Sequence, residues 1–213
     1  MVSGLVIVGA SDQALVLIDV LDRRNELGRV VAILDASEEA NYVGRVVGGI
    51  EVAGTIFDLG KDRLKDCKVV PAIGSSDYRR EIVSRARAEG LALAAIIDPT
   101  AVISSRATVA DGVFVGPGAI VGPASAIGVA TIVNTGAIVE HHVGVGAFCH
   151  VGPGVRIAGN CHIEDGVTIG IGASIRDEVR IGAGATVGAG AAVVTDVQAC
   201  SVVAGVPARP LGG

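Results

Sequence analysis

Four histidines, His141, His142, His150 and His162, all lie in the C-terminal half of this 213-residue sequence. Imidazole titrates nearer neutral pH than any other side chain, so a positioned histidine can serve as a general base, and it is also a frequent zinc ligand. The spacing H-H-x7-H-x11-H holds no pair at helical or ribbon-like ligand separation, so no metal is expected and proton transfer is the better reading. Cys149 and Cys161 fall on inward positions of a repeat described below and read as small core residues, not nucleophiles. The four cysteines form no paired framework, which suits a reducing compartment. In the N-terminal half, Gly9-Ala10-Ser11-Asp12-Gln13-Ala14 follows an aliphatic run, where a ligand could meet the start of a helix. It fails the G-x-G-x-x-G fingerprint, so a nicotinamide cofactor is not expected.

Those residues need a frame, and the sequence describes two. Charged side chains thin to less than half their density at Asp98-Pro99, dividing residues 1–98 from residues 99–213. Before that point aliphatic runs alternate with helical patterns: LVIVGA (5–10), DQALVLIDVLDRRN (12–25), VVAILDA (30–36), KVVPAIG (68–74), SDYRREIVSRARAEG (76–90) and LALAAIID (91–98). Strand–helix–strand alternation predicts a small parallel-sheet, Rossmann-like α/β domain. Ligands sit at the carboxyl ends of such strands, which places residues 9–13, Asp35 and residues 74–76 on one rim.

Beyond Pro99, isoleucine or valine recurs at residue 103 and at every sixth residue to 193 without exception. The residue four further on is always small or β-branched, among them Ser125, Thr131, Cys149 and Cys161. A period this strict predicts a solenoid whose turns bury their aliphatics on one another. Glycine often follows the aliphatic, as at 116, 122, 128 and 146, and is expected there to supply corners with unusual backbone angles. With 3 Phe, 2 Tyr and no Trp, the core must be stacked aliphatics and alanine. The net charge of −5 and the lack of any basic run argue against a nucleic-acid partner. No apolar stretch approaches the ~18 residues of a membrane span. The start reads as a first strand without the charged region of a signal peptide, so a cytoplasmic protein is expected.

The hexad [IV]-G-x-x-[AV]-x resembles the hexapeptide-repeat, left-handed β-helix acyltransferases. In them three hexads make one triangular coil, so residues 18 apart lie above one another. The resemblance implies roughly five coils here, and a homotrimer with active sites in the clefts between neighbouring prisms. A narrower resemblance covers nearly the whole chain. VIVGASDQA, AILD, AIGSSDYRREI, IIDPTAVIS, IVNTGAIVEHHV, CHVGPGVRIAG and VVAGVPAR occur in that order. They resemble the bacterial sugar acetyltransferases that acylate nucleotide-linked amino sugars, grouped with the sialic-acid O-acetyltransferase-like proteins.

That family implies an acetyl-CoA-dependent N-acetyltransferase acting on a nucleotide-linked 4-amino-dideoxy sugar, by direct attack of the amine. His141, in N-T-G-A-I-V-E-H, matches the family's catalytic base. Gly159, one coil on, is expected to offer its N–H to the oxyanion. His142, the third member of the expected catalytic set, departs from the pattern: relatives carry Asp or Glu there, whose charge raises the basicity of the imidazole, and a neutral imidazole supplies no such field. His150, Gly159, Ile171 and Ala189 match positions that contact acetyl-CoA, while His162 matches none and reads as solvated. Ser11, Asp12, Gln13, Asp35, Gly74 and Ser75 fall on the nucleotide-sugar rim, with Arg79 following. Asp12 and Gln13 depart from the glycine- and histidine-containing turn of relatives, and Asp12 beside a diphosphate is unfavourable. Two other functions share the scaffold: O-acetylation of a sialic-acid-type sugar, and nucleotide-sugar binding after catalysis has decayed. A hydroxyl depends more than an amine on a strong base, so the missing carboxylate beside His141 favours the amine.

Overall fold

The computed structural model describes residues 3–37 and 39–211. The chain forms two compact units, Met1–Pro99 and Thr100–Gly213, one residue from the change in charge density.

The first unit runs β1 (Leu5–Val8), α1 (Asp12–Arg23), β2 (Val30–Asp35), β3 (Val46–Val47), β4 (Ile50–Thr55), β5 (Lys68–Pro71) and α2 (Ser76–Ala88). β1 is buried at all four residues, as expected of an unbroken Leu-Val-Ile-Val strand covered on both faces. α1 buries Ala14, Leu17, Ile18, Val20 and Leu21, a stripe at helical spacing. The strand order is β3-β4-β2-β1-β5, with β1 parallel to both β2 and β5. Chain order therefore reverses between β1 and β5, which makes their carboxyl ends a topological switch point. The β3–β4 hairpin is absent from the sequence expectation; its signal is Gly48-Gly49, both with positive φ, between two valines and an isoleucine.

Residues 91–98, read as a strand, continue the sheet only as a single bridge from Leu93 to Val69. Beyond it Ile96–Ile97 form a two-residue strand outside this sheet, and arginine side chains at the end of α1 hold its carboxyl end. Arg24 Nη1 donates to the Ile97 carbonyl at 2.9 Å, and Arg23 pairs with buried Asp98 at 2.8 Å.

The second unit is a parallel β-helix of two-residue strands. One sheet stacks Val102–Ile103, Ile120–Val121, Ile138–Val139, Arg156–Ile157, Ser174–Ile175 and Ala192–Val193. A second stacks Thr108–Val109, Ala126–Ile127, Gly144–Val145, His162–Ile163 and Arg180–Ile181. The third carries Phe114–Val115, Ile132–Val133, His150–Val151, Thr168–Ile169 and Thr186–Val187. Cα partners are 18 residues apart throughout these ladders, as in Ile120, Ile138 and Arg156, so three hexads make one coil. The periodic aliphatics are buried from Val115 onward.

Buried polar groups brace the coils. Ser125 Oγ donates to the Glu140 carbonyl (2.5 Å) and accepts from Val143 N–H (3.0 Å). Thr131 Oγ1 donates to the Gly146 carbonyl (2.8 Å) and accepts from Cys149 N–H (2.9 Å). The Cys149 and Cys161 thiols reach the carbonyls of Glu164 and Arg176, each at 3.0 Å. Burial pushes the Cys161 thiol above its ordinary range, the opposite of a nucleophile's requirement.

The glycines after the aliphatics are not corner residues, which corrects the expectation. At 116, 122, 128, 146, 152, 170, 182 and 188 a Cβ would lie 2.4–2.9 Å from an atom of the next coil, so these glycines permit close stacking. The corners fall two residues later. Every sixth residue from Gly112 to Gly190 has positive φ, and Ala124, Ala130, His142, Phe148, Asn160 and Glu178 do so without being glycine.

Candidate active site

His141 enters the corner that follows the strand Ile138–Val139. Its carbonyl accepts from Asn160 N–H at 3.1 Å, which ties this corner to the next coil. The exposed imidazole lies over Gly159: a Cβ built there would sit 2.4 Å from His141 Cε1 and 2.8 Å from Nε2. Gly159 thus gives the ring a floor, a task the sequence reading does not assign to it. His141 Nδ1 stands 3.1 Å from His142 Nδ1, with the ring planes 83° apart and their centroids separated by 5.3 Å. That edge-on arrangement lets one ring donate an N–H to the lone pair of the other. Glu140 lines a separate hollow of about 310 Å³ with Ile138, Arg156, Ala158 and Ser174.

His150 occupies the third sheet, half-buried between Ile132 and Thr168 on the ladder. Asn134 Nδ2 lies 3.2 Å from His150 Nε2, and Asn134 Oδ1 accepts from Thr135 N–H at 2.8 Å. With the amide oxygen engaged by the backbone, the amide nitrogen is the group left to donate to the imidazole. Asn134 is the residue that sequence reasoning missed; it lies in the quoted IVNTGAIVEHHV, but its partner is 16 residues away. Ile171 and Ala189 are exposed on successive coils at the corner following this sheet, linked by a 2.8 Å bond from Gly190 N–H to the Ile171 carbonyl. The repeat unit therefore carries two clusters on different edges: His141, His142 and Gly159 on one, His150, Asn134, Ile171 and Ala189 on the other. His162 stands apart on the second sheet, packed against Gly144 beside a hollow of about 440 Å³ lined also by Glu164 and Asp165. Arg180 pairs with Glu164 there and, through that hydrogen bond first, holds its carboxyl below the ordinary glutamate range.

In the first unit, the loops after β1 and β5 meet at the switch point. Gly9 has φ +123, and a Cβ there would lie 2.4 Å from the Ala72 carbonyl oxygen. Ser11 and Ser75 are the N-cap residues of α1 and α2, and neither side chain makes the capping hydrogen bond. The first-turn amide N–H groups of both helices are thus not capped by these side chains. Asp12 is exposed, whereas the Gln13 side-chain nitrogen is buried without a hydrogen-bond partner. Arg79 is buried, not an exposed helix arginine: its Nη1 donates to the carbonyls of Ile73 (3.0 Å) and Gly74 (2.5 Å), bracing the loop from beneath. Asp35 is turned inward too. Its carboxylate accepts from Ser37 N–H (2.9 Å), Ser37 Oγ (3.0 Å) and Tyr42 N–H (2.9 Å), shaping its own loop. Beside that loop Ser37, Asn41 and Tyr78 line a hollow of about 310 Å³.

Residues 4–86 match the family described as the PglD N-terminal domain, and residues 160–194 match the bacterial transferase hexapeptide (six repeats) family. Among solved structures, the chain is similar to perosamine N-acetyltransferase from Caulobacter crescentus, solved as a histidine-to-asparagine variant in complex with CoA and GDP-perosamine. The identity is 34% and the TM-score 0.92, over 100% of this chain and 99% of that one. The acetyltransferase domain of PglB from Neisseria gonorrhoeae, in complex with acetyl coenzyme A, is 33% identical with a TM-score of 0.89, over 98% and 99% of the two chains. WeeI from Acinetobacter baumannii is 27% identical with a TM-score of 0.87, over 98% and 99%. No curated protein matches the chain.

Proposed function

We propose that this chain, which belongs to the hexapeptide-repeat sugar acetyltransferases, moves the acetyl group of acetyl-CoA onto the amine of a nucleotide-linked 4-amino-dideoxy sugar. The observation that carries this reading is the end-to-end likeness, both units together, to an enzyme solved with CoA and GDP-perosamine. The sugar amine attacks the thioester carbonyl, and His141 Nε2 takes the proton that the amine sheds. The Gly159 N–H stabilises the oxyanion as the C–S bond breaks. His141 then returns its proton to the departing CoA sulfur, so that amide and thiol are the only products.

His150, Asn134, Ile171 and Ala189 hold acetyl-CoA, and the first unit holds the nucleotide. The diphosphate lies at the switch point, between the open helix ends at Ser11 and Ser75, with the Gln13 amide and the Gly74 loop beside it. Asp35 acts on the nucleoside through the loop it shapes, since its oxygens already accept three hydrogen bonds. The two clusters on different edges of the repeat unit are halves of a site completed by a second copy, which supports a homotrimer. Both substrates are intracellular metabolites, so the enzyme works in the cytoplasm.

The test is a thiol-release assay with acetyl-CoA and a panel of GDP-, UDP- and dTDP-linked amino sugars, with mass analysis of the product. An amide is expected. A hydroxylamine-labile ester would shift the reading to O-acetylation, and no thiol release from any acceptor would defeat it. His141→Asn should lower kcat by ~10²–10⁴ while leaving CoA affinity nearly unchanged.

A further inference from the structure

We propose that His142 replaces the usual carboxylate as a neutral hydrogen-bond acceptor, holding the His141 proton on Nδ1 so that Nε2 presents its lone pair to the substrate. The inference rests on the proposed role of His141 as the base. Two facing Nδ1 atoms 3.1 Å apart can share one proton between neutral rings. If His142 donated, His141 would carry its own proton on Nε2 and could not accept another there. If His141 donates, Nε2 is bare. The same bond then persists when Nε2 takes up the amine proton, because the imidazolium still donates from Nδ1 and His142 still accepts. No hydrogen bond has to be remade during the reaction, which is the economy of a preorganised site. His142 is accordingly a positioning residue: it touches the base, not the substrate.

The backbone supplies an independent argument. His142 has φ +58, a left-handed corner geometry that glycine supplies at eight of the fourteen turns from residue 112 to residue 190, whereas this edge carries side chains at Ala124, Asn160 and Glu178 as well. A side chain in the left-handed region is strained, and at His142 the hydrogen bond to His141 gives that side chain a use. A carboxylate would act by charge as well as by accepting. Imidazole acts by accepting alone, so its removal should cost less than the ~10⁴ associated with losing a buried anionic orienter.

The test compares His142→Gly with His142→Asn, both compatible with the left-handed backbone, so that strain drops out of the comparison. Only asparagine offers an oxygen to accept the His141 N–H. His142→Gly should lower kcat by roughly 10–100-fold with the KM values for acetyl-CoA and amino sugar within about twofold, and His142→Asn should restore most of that loss. A second measurement does not depend on turnover. In full-length protein labelled with ¹⁵N-histidine, long-range ¹H–¹⁵N correlation should show the neutral His141 protonated on Nδ1, and a mixture of tautomers in His142→Gly. Wild-type kcat in His142→Gly, or a His141 proton on Nε2 in the native protein, would overturn the inference. Should His141→Asn remain fully active while the Nδ1 tautomer is observed, the base assignment fails and the hydrogen-bond assignment stands.

Discussion

At the scale of single residues, the geometry of the corner depends on what is missing from Gly159. The ring of His141 occupies the space a side chain would take, and φ at Gly159 does not demand glycine. Gly159→Ala should therefore fold normally yet displace the imidazole, since its methyl would come within 2.4 Å of Cε1. A base moved by about 1 Å can lose ~10²-fold in rate, so kcat should fall by at least that order in a steady-state assay. An unchanged kcat would mean that the ring does not work from this position. The motif around His141 was legible in the sequence, but its acceptor was not. Sequence alone presents His142 as a lost charge, because whether two adjacent rings meet edge-on depends on a left-handed residue between strands. Asp35 and Arg79 show a related limit: residue type reveals capacity to bind, and only the structure shows that both side chains also brace the chain's own loops.

At the scale of elements, the coils hold together through a few buried polar rungs as well as aliphatic stacking. Thr131 is the clearest, since one hydroxyl satisfies both the Gly146 carbonyl and the Cys149 N–H. Thr131→Val keeps the shape and strands both groups, which should destabilise the protein by about 1–3 kcal/mol. A urea midpoint equal to that of the native protein would show that the rung is dispensable. The hexad period was fully legible, because every coil repeats the same burial pattern. The role of its glycines was not. A glycine beneath a neighbouring backbone and a glycine at positive φ look alike in a sequence, and only the stacking of coil on coil separates them. In the first unit, the hairpin of β3 and β4 escaped because β3 has only two residues and one of the two buried positions of β4 is Gly54, which adds no apolar side chain to the pattern.

At the scale of the whole molecule, each unit has its own buried core, and the boundary lies where charge density falls. Removing residues 1–98 should leave a soluble repeat unit that still binds CoA but no longer binds nucleotide; calorimetry checks both. Loss of CoA binding by the folded fragment would move the donor site off the repeat unit. The corner positions have a different implication, for how the enzyme ages under heat. Fourteen turns from residue 112 to residue 190 share one left-handed geometry, and six of them retain a side chain where glycine would relax the turn. Glu178 is one, exposed, with φ +62. Glu178→Gly should raise stability by about 0.5–1 kcal/mol, net of the extra freedom that glycine gives the unfolded chain, and calorimetric melting will show it. The same relief awaits at His142, and there thermal endurance and turnover pull in opposite directions. The glycine variant of that corner should survive heating longer than the native enzyme and work more slowly at every temperature below its melting point.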